Sequence, residues 1–198
     1  RLILVDDGSD KATREAIDRH CSNHPGDILI RHAAARGYTK AANAGISHST
    51  ADYVILLNSD TIVPLCWVDA LISAGESDCN IGILGPLSNA ASWQSVPDVI
   101  DAAGDFAVNE LPSGMLVDDA AKLCASISKD VVYRTPVING FCFAIKRAVI
   151  NKIGLLDEES FPQGYGEEND YCFRAVNSGF HCGLVTKTYV FHAKSKSF

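Results

Sequence analysis

Acidic side chains follow three separate segments of the sequence, and these are the residues whose spacing could support chemistry. Asp6 and Asp7 come after an apolar run, Asp60 comes after a second one, and three acids follow a Gly-Tyr-Gly sequence within residues 164–170. A carboxylate in such a place can accept hydrogen bonds from a ribose or a base, ligate a divalent cation, or take a proton from a hydroxyl.

The first segment reads Val5-Asp6-Asp7-Gly8-Ser9. Ligands of open α/β sheets bind beyond the carboxyl ends of the strands, so two carboxylates there favour a nucleotide site. An aspartate turn that caps the next helix explains the same residues. The sequence alone leaves both interpretations open.

The second segment reads Asn58-Ser59-Asp60-Thr61 and repeats this arrangement. An aspartate at a strand end can ligate a hard cation that in turn holds a diphosphate. A simple strand-to-helix turn with local hydrogen bonds is the alternative.

The third segment combines a glycine-flanked loop with Glu167, Glu168 and Asp170 at the start of a predicted helix. Capping accounts for one or two acids, because the helix dipole favours negative charge there. A general base presented by the loop accounts for the preceding glycines. His192 ends a predicted strand, where it is either a metal ligand or a surface histidine. Lys194 and Lys196 could meet phosphate or belong to a solvated tail.

The elements that must position these residues alternate along the chain. We predict strands over 2–5, 28–31, 53–57, 81–84, 141–146, 182–186 and 188–192, and helices over 10–21, 40–49, 65–77, 118–128, 147–153 and 167–178. This alternation is typical of an α/β domain with a largely parallel sheet. Residues 88–136 are punctuated by proline and glycine and are predicted to form a loop-rich excursion around one helix.

Composition excludes several classes of protein. The 198 residues include 24 acids and 17 Lys or Arg, a net charge of −7, so nothing favours binding to nucleic acid. The sequence contains no dinucleotide fingerprint, P-loop, nucleophile elbow or zincin motif, and no apolar run reaches the ~20 residues that span a bilayer. Seven cysteines without C-x-x-C spacing are expected to be reduced, which favours the cytoplasm.

In their order along the chain, these segments resemble the family 2 glycosyltransferases with the GT-A fold. Within this family, the sequence most resembles rhamnosyltransferase-like enzymes and O-antigen or capsule sugar transferases. Further matching text is Gly37-Tyr38-Thr39-Lys40-Ala41-Ala42-Asn43-Ala44-Gly45, Gly140-Phe141, Gly154-Leu155-Leu156-Asp157-Glu158 and Gly166-Glu167-Glu168-Asn169-Asp170-Tyr171-Cys172-Phe173-Arg174. The resemblance covers the chain except about 88–136. Since the family places another strand and helix before the Asp-Asp-Gly-Ser strand, we expect one domain, 1–198, that lacks its first β-α unit.

The resemblance also implies roles for individual residues. The residues implied to bind the nucleotide sugar are Asp6, Asp7, Gly37, Asn43, Asn58, Ser59 and Asp60. Asp60 and His192 are implied to hold a divalent Mg or Mn ion, and Glu168 to be the catalytic base. Gly140, Glu167 and Asp170 are assigned to the acceptor side. Asn58 replaces the first aspartate of the family's metal motif, and Glu168 replaces its usual catalytic aspartate.

The expected activity is inverting transfer of a sugar from a nucleotide-diphosphate donor to a hydroxyl acceptor. The expected acceptor is a glycan or a lipid-linked molecule of cell-surface polysaccharide or glycoconjugate synthesis. The expected location is the cytoplasm or the inner face of the membrane, with peripheral membrane association and oligomer formation left open. Two alternatives remain: a non-catalytic module that binds sugar nucleotides or glycans, and a nucleotidyltransferase that makes sugar nucleotides.

Overall fold

The computed structural model describes residues 1–129 and 132–194, so that Lys196 lies outside the described residues. The chain divides into two compact units. The first unit contains residues 1–51 and 154–171, and the second contains residues 52–153 and 172–198.

The first unit is built on two parallel strands, each followed by a helix. Its elements in chain order are β1 (Ile3–Asp7), α1 (Lys11–Asn23), β2 (Ile28–His32) and α2 (Tyr38–His48). Asp10 caps α1, because its Oδ1 accepts a hydrogen bond of 2.8 Å from the Thr13 N–H. On α2, Ala42 and Ile46 are buried one turn apart, as expected for a helix that covers a sheet.

Strand β1 extends two residues beyond its predicted end, so Asp6 and Asp7 belong to the strand itself. The parallel pairing with β2 sets Asp6 opposite Arg31 and Asp7 opposite His32. The two acids therefore lie opposite two basic side chains at the carboxyl end of this sheet.

The second unit contains a five-stranded sheet in the order β3-β7-β5-β8-β6. These strands are β3 (Tyr53–Leu57), β5 (Ile81–Leu87), β6 (Val132–Thr135), β7 (Cys142–Lys146) and β8 (His181–Tyr189), and the short strands β4 (Thr61–Ile62) and β9 (Phe191–His192) pair separately. The helices are α3 (Trp67–Glu76), α4 (Val117–Ile127) and α5 (Arg147–Ile153), while α6 (Glu167–Asn177) starts in the first unit and ends in the second.

The prediction of a mostly parallel sheet is wrong, because the central sheet is mixed. Only β5 and β8 pair in parallel, whereas β7 runs antiparallel to both β3 and β5, and β6 runs antiparallel to β8. Strands joined by a single crossover helix pair in parallel. A long segment separates β5 from β7, so β7 can join the sheet in either direction. The prediction of two separate strands over 182–186 and 188–192 is also wrong, because the single strand β8 continues to Tyr189.

The core of the second unit is formed by one helix and the inner strands. Leu71 of α3 packs with Leu84 of β5, Cys142 of β7 and Val185 of β8. Burial of a large apolar side chain stabilises a fold by about 1.5–3 kcal/mol, so this cluster holds α3 on the sheet. None of the helices in residues 1–129 and 132–194 has the length and apolar character that crossing a bilayer requires.

Three of the seven cysteines, Cys142, Cys172 and Cys182, are buried, and the cysteines in the described ranges form no disulfide. Burial raises the pKa of the Cys142 thiol well above its usual range. These three side chains therefore act as small apolar residues, whereas Cys66 and Cys79 are exposed.

Candidate functional site

The buried carboxylate of Asp6 is fully engaged by its own unit. Its Oδ1 accepts a hydrogen bond of 2.9 Å from the Ser9 N–H, and its Oδ2 accepts one of 2.7 Å from Arg31 Nε. Burial alone would raise the pKa of Asp6, but the hydrogen bonds from Ser9 and Arg31 outweigh it and lower that pKa. The charged carboxylate of Asp6 thus links β1 to β2 through Arg31.

Asp7 holds the loop that leads into α2. Its carboxylate accepts hydrogen bonds from His32 Nδ1 at 2.6 Å, from the Arg36 N–H at 2.9 Å and from the Gly37 N–H at 2.9 Å. Burial opposes these contacts, yet together they lower the pKa of Asp7. The carboxylate is therefore ionised at neutral pH and fixes two successive backbone amides.

Position 37 requires glycine for two reasons. Its φ is +97°, and a Cβ there would lie 2.1 Å from the Pro162 carbonyl oxygen. Residues 161–162 therefore pack against the backbone that opens α2, and only glycine permits this approach.

Asn43 is buried, and its amide group binds the segment that follows residue 154. Its Nδ2 donates to the Leu156 carbonyl at 2.9 Å and to Glu158 Oε2 at 3.0 Å, while its Oδ1 accepts from the Leu156 N–H at 3.0 Å. The structure thus places Asn43, predicted to contact a nucleotide sugar, as a link between α2 and residues 154–158.

Glu167 and Glu168 open α6, and their environments differ. Glu167 is 4% exposed, and its Oε2 has no hydrogen-bond partner among the described residues. Burial raises the pKa of Glu167 to about 7, with further contributions from the charge of Glu168 and a hydrogen bond with it. Glu168 is half-buried, and its Oε2 accepts a hydrogen bond of 3.1 Å from the Gly166 N–H. Asp170 lies in the same first turn.

The second unit contains the other group of predicted site residues. Asn58, Ser59 and Asp60 lie between β3 and β4, and Gly140 precedes β7. The Asn58 N–H donates to the Phe141 carbonyl at 2.9 Å, which joins this turn to the start of β7. Ser59 is exposed, whereas the side chain of Asp60 is 5% exposed.

The structure brings Asp60 and His192 together. His192 Nε2 lies 3.4 Å from Asp60 Oδ1, a buried oxygen that has no hydrogen-bond partner in the described part of the chain. The His192 ring stacks on Phe141, with centroids 5.2 Å apart. The Ala90 carbonyl lies 3.1 Å from His192 Nδ1 and can only accept a hydrogen bond, so it places the proton on Nδ1 and leaves Nε2 directed at the carboxylate.

Asn89 is a positioning residue that the sequence did not reveal. Its Oδ1 accepts from the His192 N–H at 2.7 Å, and its Nδ2 donates to the His192 carbonyl at 3.0 Å. Asn89 is buried within the segment predicted to be loop-rich, where no regular pattern marks it. Arg31 and His32 could have been found from sequence, because parallel pairing of the first two strands sets them opposite the acids.

The Asp60–His192 pair fits a divalent cation on its own geometry. A buried carboxylate oxygen without a hydrogen bond, 3.4 Å from an imidazole nitrogen whose other nitrogen is fixed by a backbone carbonyl, offers two of the ligand atoms that such an ion needs. Among the described residues, these two side chains would hold the ion.

Comparison with solved structures identifies the fold. The chain is similar to GalNAc-T7, whose crystal structure contains UDP, GalNAc and Mn2+, with a TM-score of 0.71 and 20% identity over 96% of this chain and 37% of that one. It is also similar to the mannosyltransferase PcManGT of Pyrobaculum calidifontis, in complex with GDP-Man and Mn2+, with a TM-score of 0.65 and 17% identity over 98% of this chain and 48% of that one. The fold is GT-A-like.

The sequence comparison points to the same family. Residues 1–89 match the model for Glycosyl transferase family 2, which confirms the resemblance. Curated relatives include an inactive polypeptide N-acetylgalactosaminyltransferase-like protein 5 of Macaca fascicularis, 26% identical over 98% of this chain and 44% of the relative. Another is the succinoglycan biosynthesis protein ExoM of Rhizobium meliloti, 25% identical over 62% of this chain and 43% of the relative. The chain spans less than half the length of these relatives.

Proposed function

We propose that the chain is the sugar-nucleotide-binding and catalytic part of an inverting glycosyltransferase. The donor is a nucleotide-diphosphate sugar, and the acceptor hydroxyl belongs to a glycan or a lipid-linked molecule of polysaccharide synthesis. The names of the structural neighbours support the donor class, and the name of the ExoM relative supports polysaccharide synthesis. The proposed location is the cytoplasm or the inner face of the membrane.

The observation that carries the proposal is the Asp60–His192 pair. Asp60 Oδ1 is a buried oxygen without a hydrogen-bond partner among the described residues, which is costly unless a ligand compensates for it. A Mg or Mn ion held by Asp60 and His192 would offset the negative charge that grows on the leaving diphosphate. Asn58 and Ser59 of the same turn are proposed to face the donor.

Glu168 is proposed as the general base. It takes the proton of the acceptor hydroxyl while that oxygen bonds to the anomeric carbon, and the bond from this carbon to the diphosphate oxygen breaks with its electron pair. Burial raises the pKa of its neighbour Glu167 to about 7, so Glu167 is proposed to hold a proton more readily than an ordinary glutamate.

On the donor side, Asp7 and Gly37 are proposed to shape the nucleotide contact. Asp7 is ionised and partly accessible, and its side chain holds the amides of the loop before α2. Asp6 and Asn43 are proposed to act through positioning, because both side chains are engaged inside the first unit. Gly140 and Asp170 are proposed to border the acceptor.

Donor binding is tested by calorimetry on the full chain with UDP or GDP, with and without MnCl2. We expect Mn2+ to strengthen nucleotide binding, and we expect Asp60→Asn to remove at least 10-fold of that gain. The control is Asp69→Asn, which changes an exposed aspartate at the start of α3. Equal metal dependence in Asp60→Asn and the wild type would refute the metal assignment.

Turnover is tested with a panel of nucleotide sugars, by following release of the nucleoside diphosphate. General-base catalysis contributes about 10²–10⁴-fold, so Glu168→Gln should lower turnover by that factor while donor binding is kept. Glu159→Gln, at an exposed position of the same unit, is the matched control. Unchanged turnover in Glu168→Gln would overturn its role.

A second candidate is a non-catalytic module that binds sugar nucleotides or glycans. The relative named as inactive, which aligns with 98% of this chain, favours it. Metal-dependent nucleotide binding without release of nucleoside diphosphate from any donor would establish this candidate in place of the first.

A further inference from the structure

A second cluster of metal-ligating side chains lies where α1 ends and β2 begins. It consists of His20, His24 and Asp27, each of which offers one ligand atom within 4.8 Å of the others. We propose that these three residues form a site for a divalent transition-metal ion of the zinc, nickel or copper type.

The two histidines lie at the C-terminal end of α1. His20 belongs to the last turn of the helix and His24 is the residue that follows it, and their rings stack with centroids 4.2 Å apart at an angle of 18°. The His20 carbonyl lies 2.9 Å from His24 Nδ1 and can only accept a hydrogen bond, so Nδ1 carries the proton. His24 Nε2 is thereby left with its lone pair, the state in which imidazole ligates a metal.

Asp27 is held in place by the backbone of Leu2, the residue before β1. Its Oδ1 accepts a hydrogen bond of 3.1 Å from the Leu2 N–H, and its Oδ2 lies 2.9 Å from His20 Nε2. Two ligands at about 2.0–2.1 Å from a tetrahedral ion lie about 3.3 Å apart, so this pair needs little movement to receive one. The ion would replace the proton that His20 and Asp27 share.

The ligand set selects the class of ion. Two imidazoles and one carboxylate suit zinc, nickel and copper, whereas magnesium and manganese prefer oxygen ligands. The C-terminal end of α1 also carries the negative end of the helix dipole, which favours a cation.

The cluster is separate from the donor-side residues of the same unit. Leu2 and Asp27 precede β1 and β2, whereas Asp7 and His32 end these strands. At about 3.3 Å per residue, the two ends of the sheet lie about 13 Å apart. A bound ion would therefore link the end of α1 to the start of β2. It would not occupy the carboxyl end of the sheet, where the nucleotide is proposed to bind.

The test is calorimetric titration of the full chain with NiCl2 and with ZnCl2, in an Asp60→Asn background that removes the Asp60–His192 pair. We expect one equivalent of ion to bind, and His24→Gln to weaken binding by at least 10-fold. His24 is exposed, so this change leaves the fold intact, as circular dichroism should verify. The control is His48→Gln, because His48 is an exposed histidine in the last turn of α2 with no histidine four residues away.

Electron paramagnetic resonance of bound Cu2+ gives an independent measurement. The spectrum should show two imidazole nitrogens, and one nitrogen in His24→Gln. Absence of a bound equivalent, equal binding in His24→Gln, or equal losses in His24→Gln and His48→Gln would overturn the proposal.

Discussion

Substitution of Glu167 by glutamine should remove a pH dependence from the free energy of unfolding. In the folded chain, burial and the neighbouring Glu168 raise the pKa of Glu167 from 4.5 to about 7. The unfolded chain has neither effect, so there the carboxyl titrates near its ordinary value. Glutamine keeps the shape of the protonated carboxyl and cannot ionise.

The size of the effect follows from the difference in pKa. One pKa unit corresponds to 1.36 kcal/mol, so a rise of this size is linked to at most about 3 kcal/mol. Because the folded state holds the proton more tightly, the contribution is fully present below pH 4.5 and is lost as the pH rises through 7. Part of the rise depends on the charge of Glu168, so the expected change is about 1–3 kcal/mol.

The assay is urea unfolding followed by circular dichroism at several pH values between 4.5 and 8. The difference in unfolding free energy between the wild type and Glu167→Gln should shift by that amount in favour of the variant as the pH rises. Glu15→Gln is the control, since Glu15 is an exposed residue of the same unit in a surface ion pair with Lys11. Wild-type and Glu167→Gln stabilities that run parallel across this range would refute the reasoning.

Two further substitutions test the packing of the first unit by the same urea assay. Asn43→Ala removes three hydrogen bonds and leaves the Leu156 N–H and carbonyl without the Asn43 side chain. We expect the free energy of unfolding to fall by about 2–4 kcal/mol. A fall of less than about 0.5 kcal/mol would contradict this. Gly37→Ala places a Cβ 2.1 Å from the Pro162 oxygen at φ +97° and should cost more than about 2 kcal/mol, whereas Gly26→Ala, with no atom within 4 Å of the added Cβ, should cost less than about 1 kcal/mol. Equal costs at the two glycines would contradict the close approach.

The elements whose sequence carries a local pattern were predicted well. The strand over 53–57 and the helix over 147–153 are confirmed to the residue, because apolar residues and turn residues mark both ends. The helix predicted over 118–128 is confirmed with a shift of one residue. The sequence predicts a loop-rich excursion that includes residues 132–135, yet these residues form β6, since their pairing with β8 depends on a strand some fifty residues away.

The site shows the same division between local and distant information. The acids at strand ends were visible in the sequence because each follows an apolar run. The residues that hold His192 were not, since Asn89 and Ala90 contact it only through the fold. The role of Glu167 also depends on burial, which no spacing of acids reveals.

The division of the chain into two discontinuous units determines when each can fold during synthesis. The first unit needs residues 154–171, more than a hundred positions after its own α2, and the second needs β8 and β9 from the last part of the described chain. In the central sheet, Ile83 pairs with Cys182, so this contact must close a loop of about a hundred residues. Such long-range pairing slows folding. During synthesis β5 therefore lacks its parallel partner until β8, about a hundred residues later, has been made.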